Sequence, residues 1–335
     1  MILKGPVMSK DKIARPRDLK LLSIVIPVFN EAQVLPKLQV RLGSVRTEVP
    51  CESEIVFVND GSSDDSGAIL LRWAAQDRSV KVIELSRNFG HQAAITAGVD
   101  HAQGDAVILM DADLQDPPEL IGEMVGKYRQ GFDIVHATRV KRHGETLLKR
   151  ASASLFYWIM SKFIHRDLPQ NAGDFRLMSS EAASALRSLR ETHRFLRGMV
   201  TWVGFRQTSL QFEREPRAAG ETKFPARKMV GLALDAVFSF SSAPLRVSTY
   251  LGCAVLVFGM VYSGYTVARY FIYNDLVPGW ATLVILQSAI GGAILISLGM
   301  MGEYIGRIYD EIKRRPLYIV GRTTNISSKR GNSTE

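Results

Sequence analysis

The sequence predicts an α/β protein, with a mainly parallel sheet covered on both faces, followed by a pair of membrane-spanning helices. Three observations predict it. Between residues 21 and 137, short β-branched apolar runs alternate with helix-like stretches, the pattern of a parallel sheet. Polar, acid-rich clusters directly follow several of those runs, where open α/β sheets hold their ligands. Residues 247 to 268 and 276 to 302 contain no charged side chain, and each stretch exceeds the roughly 20 residues that cross a bilayer core.

The elements follow in chain order. Residues 1–20, "MILKGPVMSKDKIARPRDLK", lack the apolar core of a signal peptide and read as a flexible basic arm. Strands are expected at 22–26, 55–59, 80–85, 106–110 and 134–137, with helices between them, among them 66–76 and 92–101. The whole soluble part is expected to occupy residues 21–225. Within it, "ETLLKRASASLFYWIMSKFI" puts Leu147, Leu148, Ala151, Leu155, Trp158 and Ile159 on one helical face. A second amphipathic segment, "FPARKMVGLALDAVFSF", is basic at its start and apolar later. Either segment can pack on the sheet or lie at a membrane interface. The uncharged stretches that follow favour the interface for the second, giving a juxtamembrane helix at 226–244.

Residues 245–305 then form a hairpin of two spans, about 247–271 and 279–302, joined by the turn-forming "YNDLVPGW". Arg227, Lys228 and Arg246 precede the first span. Arg307, Lys313, Arg314 and Arg315 follow the second, while the connecting loop carries only Asp275. The positive-inside rule therefore puts the sheet domain and both termini in the cytoplasm, on a multi-pass protein of the plasma (inner) membrane. Gly259 with Ser263, and Ser288 with Gly292, have the small-xxx-small spacing that permits close helix contact. Residues 306–335 form a cytoplasmic tail whose polar end, "GRTTNISSKRGNSTE", reads as disordered.

Composition narrows the partners. Forty-two Lys and Arg against 33 Asp and Glu give a net charge of +9, which points to an anionic partner. The basic residues concentrate near the spans, so nucleic acid is disfavoured and a membrane or a phosphorylated substrate is preferred. Cys51 and Cys253 form no paired motif, which excludes a disulfide framework. There is no G-x-G-x-x-G and no G-x-x-x-x-G-K-[ST], so dinucleotide and P-loop chemistry are disfavoured.

The chemistry gathers in three clusters. "VILMDADLQDPPELI" runs an apolar strand into Asp111 and Asp113, and two such carboxylates repel unless a cation compensates. Asp113 and the Gln115 amide are hard oxygen ligands suited to Mg²⁺ or Mn²⁺, which complete their shells with water and substrate phosphate. The alternative is a plain loop leading to a helix start at Asp116-Pro117-Pro118-Glu119. "IPVFNE" and "VNDGSSDD" also close strands. Asp60 there is either a turn residue or the acceptor of a nucleobase N–H.

These segments, together with "LSRNFGHQAAITAGVDHAQGD", "NAGDFRLMS" and "REPRAAGETKF", occur in one order. They resemble the family-2, GT-A-fold glycosyltransferases that make polyprenyl-phosphate sugars, of the GtrB-type and dolichyl-phosphate-mannose-synthase-like group. The resemblance runs from Leu21 to Ile319. It implies metal binding by Asp113 and Gln115 with Asp111 beside the nucleotide, and a nucleoside site at Pro27, Glu31 and Asp60. It implies phosphate binding by Arg139, Arg150 and Ser154, with Lys223 near the phosphates. Asp174 matches the catalytic aspartate, supported by Arg176. His91 either lines the donor site or merely begins a helix. His193, Arg194 and Arg197 face lipid headgroups, the acceptor phosphate or only solvent.

The expected activity is inverting transfer of one hexose from a nucleoside diphosphate sugar to undecaprenyl or another polyprenyl phosphate, for cell-envelope glycans. Glucose from UDP-glucose leads the candidates by resemblance, and the residues themselves do not exclude other hexoses. Two rivals stand beside it: a membrane glycosyltransferase with a hydroxyl acceptor, and a non-catalytic nucleotide-sugar-binding membrane protein. Homo-oligomer formation is left open.

Overall fold

The computed structural model describes residues 17–139, 172–213, 243–273 and 279–326. The N-terminal arm up to residue 16, the first amphipathic segment, and residues 226–242 of the juxtamembrane helix expected at 226–244 lie outside the described residues. So do Arg150, Ser154 and Lys223. The chain divides into two units, one of Met1–Met229 with Pro316–Glu335 and one of Val230–Arg315.

The first unit is built on an eight-stranded sheet. Its strands are β1 (Leu21–Val28), β2 (Glu52–Asn59), β3 (Val80–Leu85), β4 (Ala106–Leu109), β5 (Ile134–Arg139), β6 (Ala172–Ser179), β7 (Gln207–Phe212) and β8 (Val320–Thr324), in the order β7-β5-β6-β4-β1-β2-β3-β8. Neighbours pair in parallel except where β6 meets β4 and β5, and where β8 meets β3. Helices α1 (Leu35–Glu48), α2 (Ser66–Gln76), α3 (His91–His101), α4 (Ile121–Arg129), α5 (Ser180–Ser188) and α6 (Leu196–Trp202) connect and cover it.

The central strands are continuous apolar runs because both faces are covered. Ile24 and Ile26 of β1 join Phe57 of β2 in one core with Leu35, Leu38 and Leu42, the helical stripe of α1, and with Trp73 of α2. Val25 and Val58 face the other way, toward α3. There Gly98 lies so close that a Cβ would fall 2.2 Å from Val25 Cγ1, so α3 approaches the sheet only because that position has no side chain.

One expectation is corrected here. The polar tail is not disordered from its start: Val320–Thr324 adds to the outer edge of β3 as an antiparallel strand. The edge offers unpaired backbone groups, which even a polar segment can satisfy. Asn325 Nδ2 then donates to the carbonyls of Ala74 at 2.7 Å and Val80 at 2.9 Å, and Tyr318 Oη donates to Asp100 at 2.7 Å.

The second unit contains α7 (Ala243–Tyr273) and α8 (Trp280–Ile312), which pack on each other. Ser248 Oγ meets Ser297 Oγ at 2.5 Å. Ser248–Ile272 and Ala289–Ile312 are each long and apolar enough to cross a membrane. Their apolar side chains point outward, Phe271 being 80% exposed and Leu295 70%, which is the reverse of buried core helices. Open space surrounds the positions a Cβ would take at Gly259 and Gly292, so neither glycine lies at the contact between α7 and α8.

Candidate active site

Strand order reverses between β1 and β4: the chain steps from β1 to β2 and β3 on one side, then crosses to β4 on the other. In open α/β sheets the crevice at such a reversal, beyond the carboxyl ends of the strands, is where ligands bind. The pairing of β1 with β4 ends at Val25 and Leu109, with Met110 N donating to Val25 O at 3.2 Å. From there β1 continues beside β2 as far as Val28 and Asn59, and β4 departs into "DADLQD". Pro27, which has no N–H to donate, lies just past the parting.

The loops around this crevice are laced together. Asn30, left-handed at φ 54°, donates its N–H to Ser62 Oγ at 3.0 Å, and Glu31 N donates to Ser66 Oγ at 2.9 Å. Asp60 is buried and accepts the backbone N–H groups of Phe89 at 2.7 Å and Gly90 at 2.9 Å. It therefore ties the β2 end to the start of α3, and its remaining lone pairs are what a nucleobase N–H would meet. Burial pushes its carboxyl up, against those two amides and the nearby His91 and Arg87. Gly61 takes φ 68°, and a Cβ there would meet the Arg87 and Asn88 backbone at 2.7 Å.

In the acidic loop, Leu114 holds φ 59°, a conformation costing a branched side chain about 1–3 kcal/mol. The turn lets Gln115 N donate to Asp113 Oδ1 at 3.1 Å. Asp116 is buried, with Arg139 Nη2 of β5 at 3.6 Å from its Oδ1. Asp111 Oδ1 is buried without a hydrogen bond, and His91 Nε2 stands 3.5 Å away. Burial pushes the Asp111 carboxyl up, with His91 pulling against this and Asp174 and Asp113 adding to it.

That orphaned oxygen tests whether a divalent cation fits. A buried carboxylate oxygen without a donor is costly, and Asp111, Asp113 and Gln115 supply hard oxygen donors of the kind such ions take. Among the described residues no three His, Cys, Asp or Glu side chains form a closed cage. The residues thus fit an ion that takes the rest of its shell from water and substrate phosphate.

Because β6 runs antiparallel to β4, pairing Leu109 with Arg176, its first residues lie beside the acidic loop. Asp174 is buried there, and α6 supplies its main partner. Arg197 donates from Nε to Oδ1 at 2.9 Å and from Nη2 to Oδ2 at 3.1 Å. His91 Nε2 is 3.4 Å from Asp174 Oδ2. Arg176, 1% exposed, donates from Nε to Asp174 O at 3.1 Å and from Nη2 to Gly173 O at 2.8 Å, while its buried Nη1 has no hydrogen bond. Burial pulls its guanidinium down to about 10, against the charge of Asp174. Burial would also push the Asp174 carboxyl up, but Arg197, His91 and Arg176 outweigh it and hold Asp174 well below the usual carboxylate range. Burial disfavours charge on His91 too, yet its contact with Asp174 and the charge of Asp111 lift it to about 9.

The structure thus brings Pro27, Glu31, Asp60, His91, Asp111, Asp113, Gln115, Arg139, Asp174 and Arg176 to one edge of the sheet. Sequence reasoning missed the Arg197–Asp174 pair and Gln92, whose Oε1 accepts Leu196 N at 3.1 Å and fixes the start of α6. Arg194, by contrast, turns inward to the Leu189 carbonyl at 2.6 Å.

The family model for Glycosyl transferase family 2 matches residues 23–187. The uncharacterised glycosyltransferase YkcC of Bacillus subtilis is 45% identical, covering 92% of this chain and 95% of that one. A glycosyltransferase of Synechocystis, sll0501, is 47% identical over 89% of this chain and 94% of its own. The bactoprenol glucosyl transferase of Shigella phage SfII is 40% identical over 93% and 99% respectively. With the α/β architecture and the acidic crevice in place, these matches are sufficient: the chain belongs to glycosyl transferase family 2.

Proposed function

We propose that this glycosyltransferase moves one glucose from UDP-glucose to undecaprenyl phosphate or a similar polyprenyl phosphate, at the cytoplasmic face of a membrane. The observation that carries the reading is Asp174. A hydroxyl acceptor needs a base to take its proton, and a carboxylate held by Arg197 and kept well below its usual range is a poor one. A phosphate acceptor arrives already charged and needs none. The similarity to bactoprenol glucosyl transferases supports the same acceptor and sugar. Two exposed apolar helices support membrane association.

In the proposed step a phosphate oxygen of the lipid forms a bond to the anomeric carbon. The bond from that carbon to UDP breaks on the opposite side, and its electron pair leaves on the diphosphate, so the configuration inverts and no proton moves. Asp60 and the β1 and β2 loops hold the nucleoside. Arg139 and the His91 imidazolium lie where cations can offset charge growing on the diphosphate. Lys223, Arg150 and Ser154 are proposed to add phosphate contacts. A Mg²⁺ or Mn²⁺ ion held by Asp113 and Gln115, with Asp111 beside it, would supply further charge compensation to the leaving group.

The test is turnover by purified protein, with undecaprenyl phosphate and a panel of nucleotide sugars. Glucosylated lipid phosphate formed from UDP-glucose is the expected product; transfer only to hydroxyl acceptors would overturn the reading. For the orientation, a cysteine placed at Asn274 should be labelled from outside the cell, and one at Ser9 or Ser327 only from inside. The reverse pattern would refute it.

A further inference from the structure

Three cationic side chains lie within 4 Å of the Asp174 carboxylate, and they are not equivalent. Arg176 is sealed in, with Nε and Nη2 donating to the backbone of its own strand and Nη1 buried without a hydrogen bond. Its two bonded donors hold the shape of β6. His91 leans on Asp111 as much as on Asp174, so its charge serves the acidic, donor side of the crevice. Arg197 differs from both. It comes from α6, whereas the proposed nucleoside loops follow β1 and β2. Its side chain keeps 37% of its surface accessible, while Asp174 beneath it keeps 8%.

We propose that Arg197 receives the phosphate of the acceptor, with Asp174 as the residue that positions its guanidinium. This rests on the reading that the acceptor is a lipid phosphate. A phosphate dianion entering a crevice that contains Asp111, Asp113 and Asp174 meets repulsion unless a cation leads it in. Arginine suits the task, because its planar fork matches phosphate oxygens and its charge is not lost at any physiological pH. Asp174 grips the fork through two donors, and the Gln92 contact with Leu196 N sets the start of the helix that presents it. The buried carboxylate and the partly exposed arginine side chain thus act as a mount and a hand. This assigns Asp174 a role through another residue: it aims Arg197 and touches no reacting proton.

The experiment measures initial rates of full-length protein, varying undecaprenyl phosphate and UDP-glucose separately, for wild type, Arg197→Ala and Arg197→Lys. Loss of a charge-assisted contact to phosphate predicts a rise in acceptor KM of about tenfold or more in Arg197→Ala. Donor KM should stay within about twofold, because the donor loops are untouched, and Arg197→Lys, which keeps charge but loses the fork, should fall between. Arg197→Ala strands a buried carboxylate and can fail to fold. The double variant Asp174→Asn with Arg197→Gln removes both charges, and should show the same rise in acceptor KM. A rise in donor KM alone, or a fall in kcat with both KM values unchanged, would overturn the assignment. If wild type transfers nothing to lipid phosphate, the function itself is wrong and the inference goes with it. If wild type does transfer and acceptor KM is indifferent to Arg197, only the inference fails.

Discussion

The two edges of the sheet both bury carboxylates, and they treat them in opposite ways. At the amino ends of the strands, Glu54 is saturated: Ser23 Oγ donates to Oε1 at 2.6 Å, Gln103 N donates to the same oxygen at 2.8 Å, and Lys81 pairs with Oε2. Ser23 in turn accepts Gly104 N at 2.8 Å. At the carboxyl ends, Asp111 keeps a buried oxygen with no hydrogen bond, Leu114 is held left-handed, and Asp111 and Asp174 share the cations His91, Arg176 and Arg197. A closed network needs nothing further and serves the fold. An open one costs stability that only a ligand recovers. The same chemistry, a buried acid with a basic neighbour, therefore means structure at one edge and binding at the other.

The sharpest way to break this comparison is to alter one acid at each edge. Asp113→Asn should lower turnover by about 10²–10³-fold, the loss expected when charge compensation at a leaving group fails, while thermal stability holds or rises. Chelator should silence the wild type until Mg²⁺ or Mn²⁺ is restored; full activity in excess chelator would contradict the metal. Lys81→Met should do the opposite. It leaves Glu54 charged and buried, which costs about 3–5 kcal/mol in denaturant titrations, yet kcat per folded molecule should match wild type.

Glycines sharpen the contrast on a smaller scale. A Cβ at Gly104 would meet Leu21 O, Ser23 N and Ala106 O at 2.7–2.8 Å, so Gly104→Ala should destabilise by about 1–3 kcal/mol with donor KM unchanged. Gly61→Ala meets the loop that Asp60 holds and must also adopt positive φ, at about 1–2 kcal/mol. Its signature should be a raised donor KM. Equal kinetic effects from the two substitutions would blur the distinction between the edges.

Much of this was legible in the sequence, for identifiable reasons. The helix over Ser66–Gln76 and the strand over Val80–Leu85 coincide with their sequence patterns, because apolar runs bounded by polar turns leave little choice. Strands β6, β7 and β8 were not read. "AGDFRLMS" mixes charge into its length, β7 is partly exposed, and β8 is five residues on an edge. Each exists because a partner far away in sequence offers it backbone groups. The acidic loop announced itself by following an apolar run. The pairing of Asp174 with Arg197 did not, since it depends on how α6 docks through Gln92 on α3, which no local pattern records. Nor did the Glu54 network, whose members look like ordinary polar strand starts.

The central claim is that Asp174 is kept charged to position Arg197 rather than to take a proton. Asp174 tests it most directly. Its folded pKa is depressed, so the stabilisation it contributes is present above the ordinary carboxylate range and is lost only as pH falls through that depressed value. Between pH 6 and 9 it therefore stays ionised. The decisive measurement is the pH–rate profile of Asp174→Asn beside wild type, with undecaprenyl phosphate as acceptor, extending above the acceptor's second phosphate pKa of about 6. The account predicts a loss of about 10²-fold, as misplacement of a reacting group costs, that does not shrink toward alkaline pH, since the variant also loses the contact that keeps His91 charged. Strong rescue toward alkaline pH would show Asp174 to be a base and contradict the account.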